Sequence, residues 1–203
     1  MKKNIALGIA VLIALGVVLV MFTSLIPWSK TSPVSQKTVK QVPDSFNDSR
    51  IYDAPEFGLM FEYSSKYMVW EEDMGTANRG HYHIDLLEDT PQNRALKEGM
   101  SPGSEGPTSI SIDIFQNNLD KTKLVDWLKG NSNSNFKLSD GTYEEITLAG
   151  TKALFYKHSG LYEANAFVLA HNGNIIKFTA TYLSPDDPII SDFSSLLSSL
   201  ELY

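Results

Sequence analysis

The chain has 203 residues, a formal net charge of −7 and a sequence pI near 5.0, which is enough length for one domain with a sizeable core plus extra segments. Its basic residues are scattered, and without a basic patch to offset phosphate repulsion no nucleic-acid partner is expected. Cysteine is absent, which removes disulfides, thiolate metal ligands, cysteine nucleophiles and lipid-modified cysteines together.

Residues 5–26, "IALGIAVLIALGVVLVMFTSLI", carry no charge. As a helix they would reach roughly 33 Å, matching a hydrocarbon core of about 30 Å, and Trp28 then stands at the interface where aromatics collect. The run is longer than a secretory h-region. It also lacks a pair of small residues for cleavage, since Ser24 is preceded at −3 by Phe22 and Ser29 by Pro27. An uncleaved transmembrane anchor over residues 1–28 is therefore expected, with the lipid bilayer as partner through residues 5–26. Lys2 and Lys3 precede the span while Lys30, Lys37 and Lys40 follow it. Proximity favours the first pair, so the amino end is expected inside and the large domain outside the cytoplasm.

From residue 29 to residue 55 the composition turns polar, with Pro33, Pro43 and Pro55 breaking regular structure, and too little apolar surface remains to offset the entropy of ordering. This stretch reads as a tether, with Asn47-Asp48-Ser49 matching a glycosylation sequon. The domain, residues 56–203, opens with "FGLMFEY", where Leu59, Phe61 and Tyr63 alternate as one face of a strand. "YMVWEED" and "HYHIDLLE" follow as strands. Residues 89–108 read as a loop with one helical turn at "NRALKEG". "SISIDIFQ" puts three isoleucines on one face and Ser111 and Asp113 on a face expected to be wet.

In "DKTKLVDWLKG" a helix is expected, capped by Asp120, with Leu124, Trp127 and Leu128 on one side and Gly130 as the stop. Four strand candidates follow, "TYEEITLAG", "TKALFYKH", "LYEANAFVLAH" and "NIIKFTATYL". The Asn172-Gly173 pair between the last two is a strong hairpin signal, because a type I′ turn needs positive φ at both positions. A closing helix begins at Asp187-Pro188 and lines up Ile189, Phe193, Leu196, Leu197 and Leu200. Helices with one apolar stripe need a sheet to cover. The fold class is accordingly α+β, an antiparallel sheet with helices packed on it.

"FGLMFEY", the "LVDWL" helix, "LAGTKALFY", "NGNIIKFTATY" and the terminal "FSSLLSSLEL" together resemble the PsbP and Mog1-like fold family, an α/β/α sandwich found in extrinsic photosystem subunits and small envelope lipoproteins. The likeness spans about residues 57–202. Ser64 stands where that family commonly has proline, and the lipid-accepting cysteine is missing. The resemblance implies a binding or assembly-supporting domain with no shared active site, so no catalytic residue and no cofactor is carried over.

Candidate chemistry is sparse. "GMSPG" matches G-x-S-x-G, but Ser101 is followed by Pro102-Gly103 and so lacks the strand-to-helix turn that makes a serine nucleophilic. Glu71-Glu72-Asp73 lacks the spaced loop of a calcium cage. The remaining set is His81, His83 and Asp85, three alternate residues pointing the same way from one strand, where paired imidazoles can share a metal ion. His158 or His171 are possible further ligands from other strands. On a solvated face the histidines need no ion. The leading expectation is a membrane-anchored, extracytoplasmic, non-catalytic domain acting through a protein or envelope component. A metal site at His81, His83 and Asp85, or small-ligand binding between sheet and helix, is the alternative.

Overall fold

The computed structural model describes residues 37–38, 48–99 and 106–203. The apolar span 5–26, most of the tether, and Ser101 of "GMSPG" lie outside the described residues. Among the described residues no helix is long and apolar enough to cross a membrane.

In chain order the elements are β1 (Lys37–Thr38), β2 (Ser49–Ala54), β3 (Leu59–Ser64), β4 (Tyr67–Asp73), β5 (His81–Glu88), α1 (Pro91–Lys97), β6 (Ile110–Gln116) and α2 (Leu124–Gly130). Two 3-10 turns, Ser132–Ser134 and Phe136–Leu138, lead to β7 (Glu144–Leu148), β8 (Thr151–Ser159), β9 (Glu163–His171), β10 (Asn174–Tyr182), α3 (Pro188–Ser198) and β11 (Glu201–Leu202). Among the described residues eight strands form the main sheet in the order β1-β7-β8-β9-β10-β6-β5-β4, and three form a second sheet in the order β11-β3-β2. All described pairings are antiparallel except β1 with β7. The architecture is α+β.

Three features depart from the sequence expectation. The "FGLMFEY" strand does not join the main sheet; it pairs with β2 and β11 instead. Its partner β2 lies inside the stretch expected to be tether. The backbone of β3 offers a full ladder from Ser64 to Leu59 to it, and Ala54 is buried, so ordering is offset by hydrogen bonds and packing that composition does not reveal. The α2 helix also starts later than expected, with Lys123 at its N-cap, and it includes Gly130. Asp120 pairs with Arg79 at 2.9 Å instead of capping it.

Other local signals act as the sequence requires. Asn172 and Gly173 take φ of 46° and 74°, the left-handed pair of a tight hairpin. Asp187 accepts the amide N–H of Ile189, and Pro188 takes the first helical position of α3. Gly58, at φ 66°, has Tyr203 O only 2.3 Å from where a Cβ would stand, so the β2–β3 turn and the chain terminus can touch only through glycine.

The main sheet carries an apolar layer on each face. On one, Ile84, Ile112, Ile176 and Phe178 pack with Phe61 and Tyr63 of the second sheet and with Phe193 and Leu196 of α3. On the other, Phe115, Leu154, Tyr156, Val168 and Ile175 pack with Trp127 and Leu128 of α2 and with Phe136. A fully buried side chain of this size contributes roughly 1.5–3 kcal/mol.

Candidate functional site

The second face is apolar only in part. Pairing sets His83 opposite Asp113 and Asp113 opposite Lys177, so three titratable side chains lie in a row across β5, β6 and β10. Because period-2 alternation puts i and i+2 on one face, His81 and Asp85 join the same surface. This face is not wet. Asp113 and Asp85 are each only 7 % exposed, and the side chains of His81 and His83 retain 19 % and 21 %. Both faces are covered because α2 and the 3-10 turns close over one side of the sheet while α3 and the second sheet close over the other.

Asp113 is the hub. His81 Nε2 and His83 Nδ1 each lie 2.9 Å from its Oδ1, and Lys177 Nζ lies 3.1 Å from Oδ2 while donating to Asn133 O at 2.8 Å. That second bond ties the cluster to the turn above it. Burial pushes the Asp113 carboxyl up, but the hydrogen bond from His83, the Lys177 charge and the hydrogen bond from His81 outweigh burial and hold it well below the usual carboxylate range. The Asp113 hydrogen bond raises the His83 imidazole against the opposing effect of burial. His81 also stacks on Phe115 at 4.3 Å between ring centroids, and Phe115 meets Trp127 at 5.1 Å. A pocket of about 380 Å³ opens beside His81, lined also by Trp127, Asn131, Asn133, Arg79 and Gln116.

Of the residues expected to ligate a metal, the structure brings His81 and His83 together but not Asp85. The Asp85 carboxylate is engaged by Lys97 of α1 at 2.9 Å through Oδ2, and Asp113 takes the third place. The ligand atoms of His81, His83 and Asp113 all lie within 4.8 Å of one another. His171 is elsewhere, its Nε2 3.0 Å from Gly58 O and 3.2 Å from Tyr203 O. His158, on β8, is buried with neither ring nitrogen paired; burial, then the Lys177 charge, lower its pKa. Asp113 was hidden because 21 residues separate β5 from β6, too many for a turn to announce the register. Lys177 did leave a signal, a lone lysine inside the apolar run "NIIKFTATY", where a buried ammonium requires a carboxylate partner.

No family model and no curated protein matches this chain. Among solved structures it is similar to the solution structure of cyanobacterial PsbP (CyanoP) from Synechocystis sp. PCC 6803, with a TM-score of 0.51 over 80 % of this chain and 96 % of that one. The fold is PsbP-like. Sequence identity to CyanoP is 13 %, so the PsbP-like likeness concerns the backbone architecture and carries no side chain across.

Proposed function

We propose that this chain is a membrane-anchored, extracytoplasmic binding or assembly domain that works without catalysis. The carrying observation is that the most polar constellation in the described residues is already paired: the Asp113 carboxylate is taken by His81, His83 and Lys177. The cluster ties β5, β6 and β10 to the turn at Asn133, and in this reading it holds a pocket wall in place. The pocket beside His81 is the recognition surface in this reading, for a protein or another envelope component. The uncharged run 5–26 supports the anchor, and Lys2 and Lys3 directly before it support the placement.

The absence of cysteine makes both parts testable with single thiols. A membrane-impermeant maleimide should label the Ser159→Cys variant in intact cells; labelling only after permeabilisation would place the domain on the cytoplasmic side. A thiol-directed photo-crosslinker on the pocket-wall variant Asn131→Cys should give a discrete adduct in native membranes that Ser159→Cys does not. The same bands from both variants, or none, would remove the binding reading.

A second reading rests on the convergence of His81, His83 and Asp113 within 4.8 Å. Two imidazoles and a carboxylate suit a zinc-class ion, which would be held by the two ring nitrogens facing Asp113, each neutral imidazole then carrying its one proton on its other nitrogen. Elemental analysis of the purified chain against His81→Ala/His83→Ala separates the readings. Equal, negligible metal in both eliminates this one.

A further inference from the structure

The apolar face beneath α3 is wider than the helix that covers it. Phe178 and Ala153 are completely buried there, while Phe155 and Phe167, on the same face toward the β7 edge, are only half-buried. Between that part of the sheet and α3 lies a pocket of about 260 Å³. Its walls include Phe155, Phe167, Phe193 and Ile190, with Asn165, Thr147, Ser194 and Ser198 supplying polar side chains, of which the Ser198 hydroxyl already donates to Ser194 O. The rings form a corner, Phe155 tilted on Phe167 at 4.8 Å and Phe193 edge-on to Phe167 at 5.7 Å. The pocket is on the face opposite the His81 cluster and shares no residue with it.

We infer that this pocket is a binding site for a small uncharged ligand, mainly hydrocarbon, with one hydrogen-bond acceptor such as a hydroxyl or carbonyl oxygen. The size sets the scale, a little below the roughly 300–1,000 Å³ of sites for drug-sized molecules, so the ligand is a fragment such as a medium alkyl chain or a two-ring aromatic. Charge decides the class. Among the described residues no Asp, Glu, Lys, Arg or His lines the pocket, so there an ionised ligand would surrender its hydration with nothing to replace it. The acceptor follows from Asn165, whose Oδ1 faces the Tyr182 hydroxyl at 3.4 Å, which leaves the amide N–H groups to donate to the ligand. The half-buried rings supply the driving force, since covering them removes apolar area from water.

The test again exploits the missing cysteines, with the full chain held in lipid nanodiscs. The thiol of the Ser194→Cys variant, on the pocket wall, is alkylated with a neutral maleimide in the presence of decan-1-ol or of decanoate, and Ser159→Cys serves as the remote control. Saturating decan-1-ol is expected to slow alkylation of Ser194→Cys by about tenfold or more, as site occupancy excludes the reagent. Decanoate should leave the rate within about twofold, and Ser159→Cys should respond to neither. Three results would overturn the assignment: no slowing by decan-1-ol, which would also follow if another part of the chain fills the pocket; equal slowing by decanoate; or equal slowing at Ser159→Cys. Crosslinking at Asn131 is independent of all three.

Discussion

The two faces of the main sheet are built to different standards. Under α3 and the second sheet, the strand residues are mainly aliphatic and aromatic, and the face is held chiefly by packing, with hydrogen bonds such as that from the Tyr67 hydroxyl to Asp192 beside it. Under α1 and α2, an apolar cluster around Trp127 sits beside a polar strip in which Asp113 gathers three partners, Asp85 holds Lys97, and Asp85 Oδ1, Thr179 Oγ1 and both His158 nitrogens have no partner among the described residues. Burying a polar group without a hydrogen bond costs about 1–3 kcal/mol on protein scales. The first face therefore supplies stability, and the second gives some of it up to hold titratable groups in place.

The sharpest contrast comes from deleting one side chain on each face. Phe178→Ala, in the fully buried layer, should cost about 3–5 kcal/mol by transfer and cavity terms, read by chemical denaturation; a loss under about 1 kcal/mol would mean that the first face is not the main support. Lys177→Met should cost about 3 kcal/mol, because it strips the ammonium from a buried carboxylate. Adding Asp113→Leu should recover most of that loss. A near-neutral Lys177→Met would show that water reaches the strip and that the contrast between the faces is overstated.

The smallest effect sits at His158, where leucine removes two unpaired nitrogens. His158→Leu should be neutral or stabilising by up to about 1 kcal/mol near pH 7.5. Its pH dependence fixes the sign. The folded protein holds the His158 pKa below its ordinary value, so the native protein binds this proton less readily than the unfolded chain and loses stability as pH falls below about 6.5. The leucine variant escapes that loss, and its advantage should widen in acid. His83 works in the opposite sense. Its raised pKa contributes stability that is complete below the ordinary value and fades as pH rises through the folded one, but both proteins share it and it cancels. An advantage that shrinks in acid would mean His158 is protonated in the folded state.

How much of this was legible follows from the range of each signal. Strand and helix positions from Tyr67 onward were written in local alternation, the Asn172-Gly173 turn and the Asp187-Pro188 start, because those signals act over a few residues. The pairing of His81 with His83 was legible for the same reason, since alternate residues share a face whatever the fold. Asp113 was visible only as one polar residue in "SISIDIFQ", with nothing to state whose neighbour it would be, and Asp85 looked equally good because same-strand spacing cannot tell a converging carboxylate from one captured by a lysine on the next helix. β2 was missed because its stability comes from the β3 ladder, not from its own composition.

By itself, then, the chain determined its α+β class, the order of most of its elements and which side of each strand carries aliphatic residues, since these depend on periodicity and turn chemistry within short windows. Register across the 21-residue β5–β6 connection, the split into two sheets and the covering of the second face were decided only in three dimensions. They depend on which distant backbones pair and on where charged side chains find partners once water is excluded, and short-range patterning has no purchase on either.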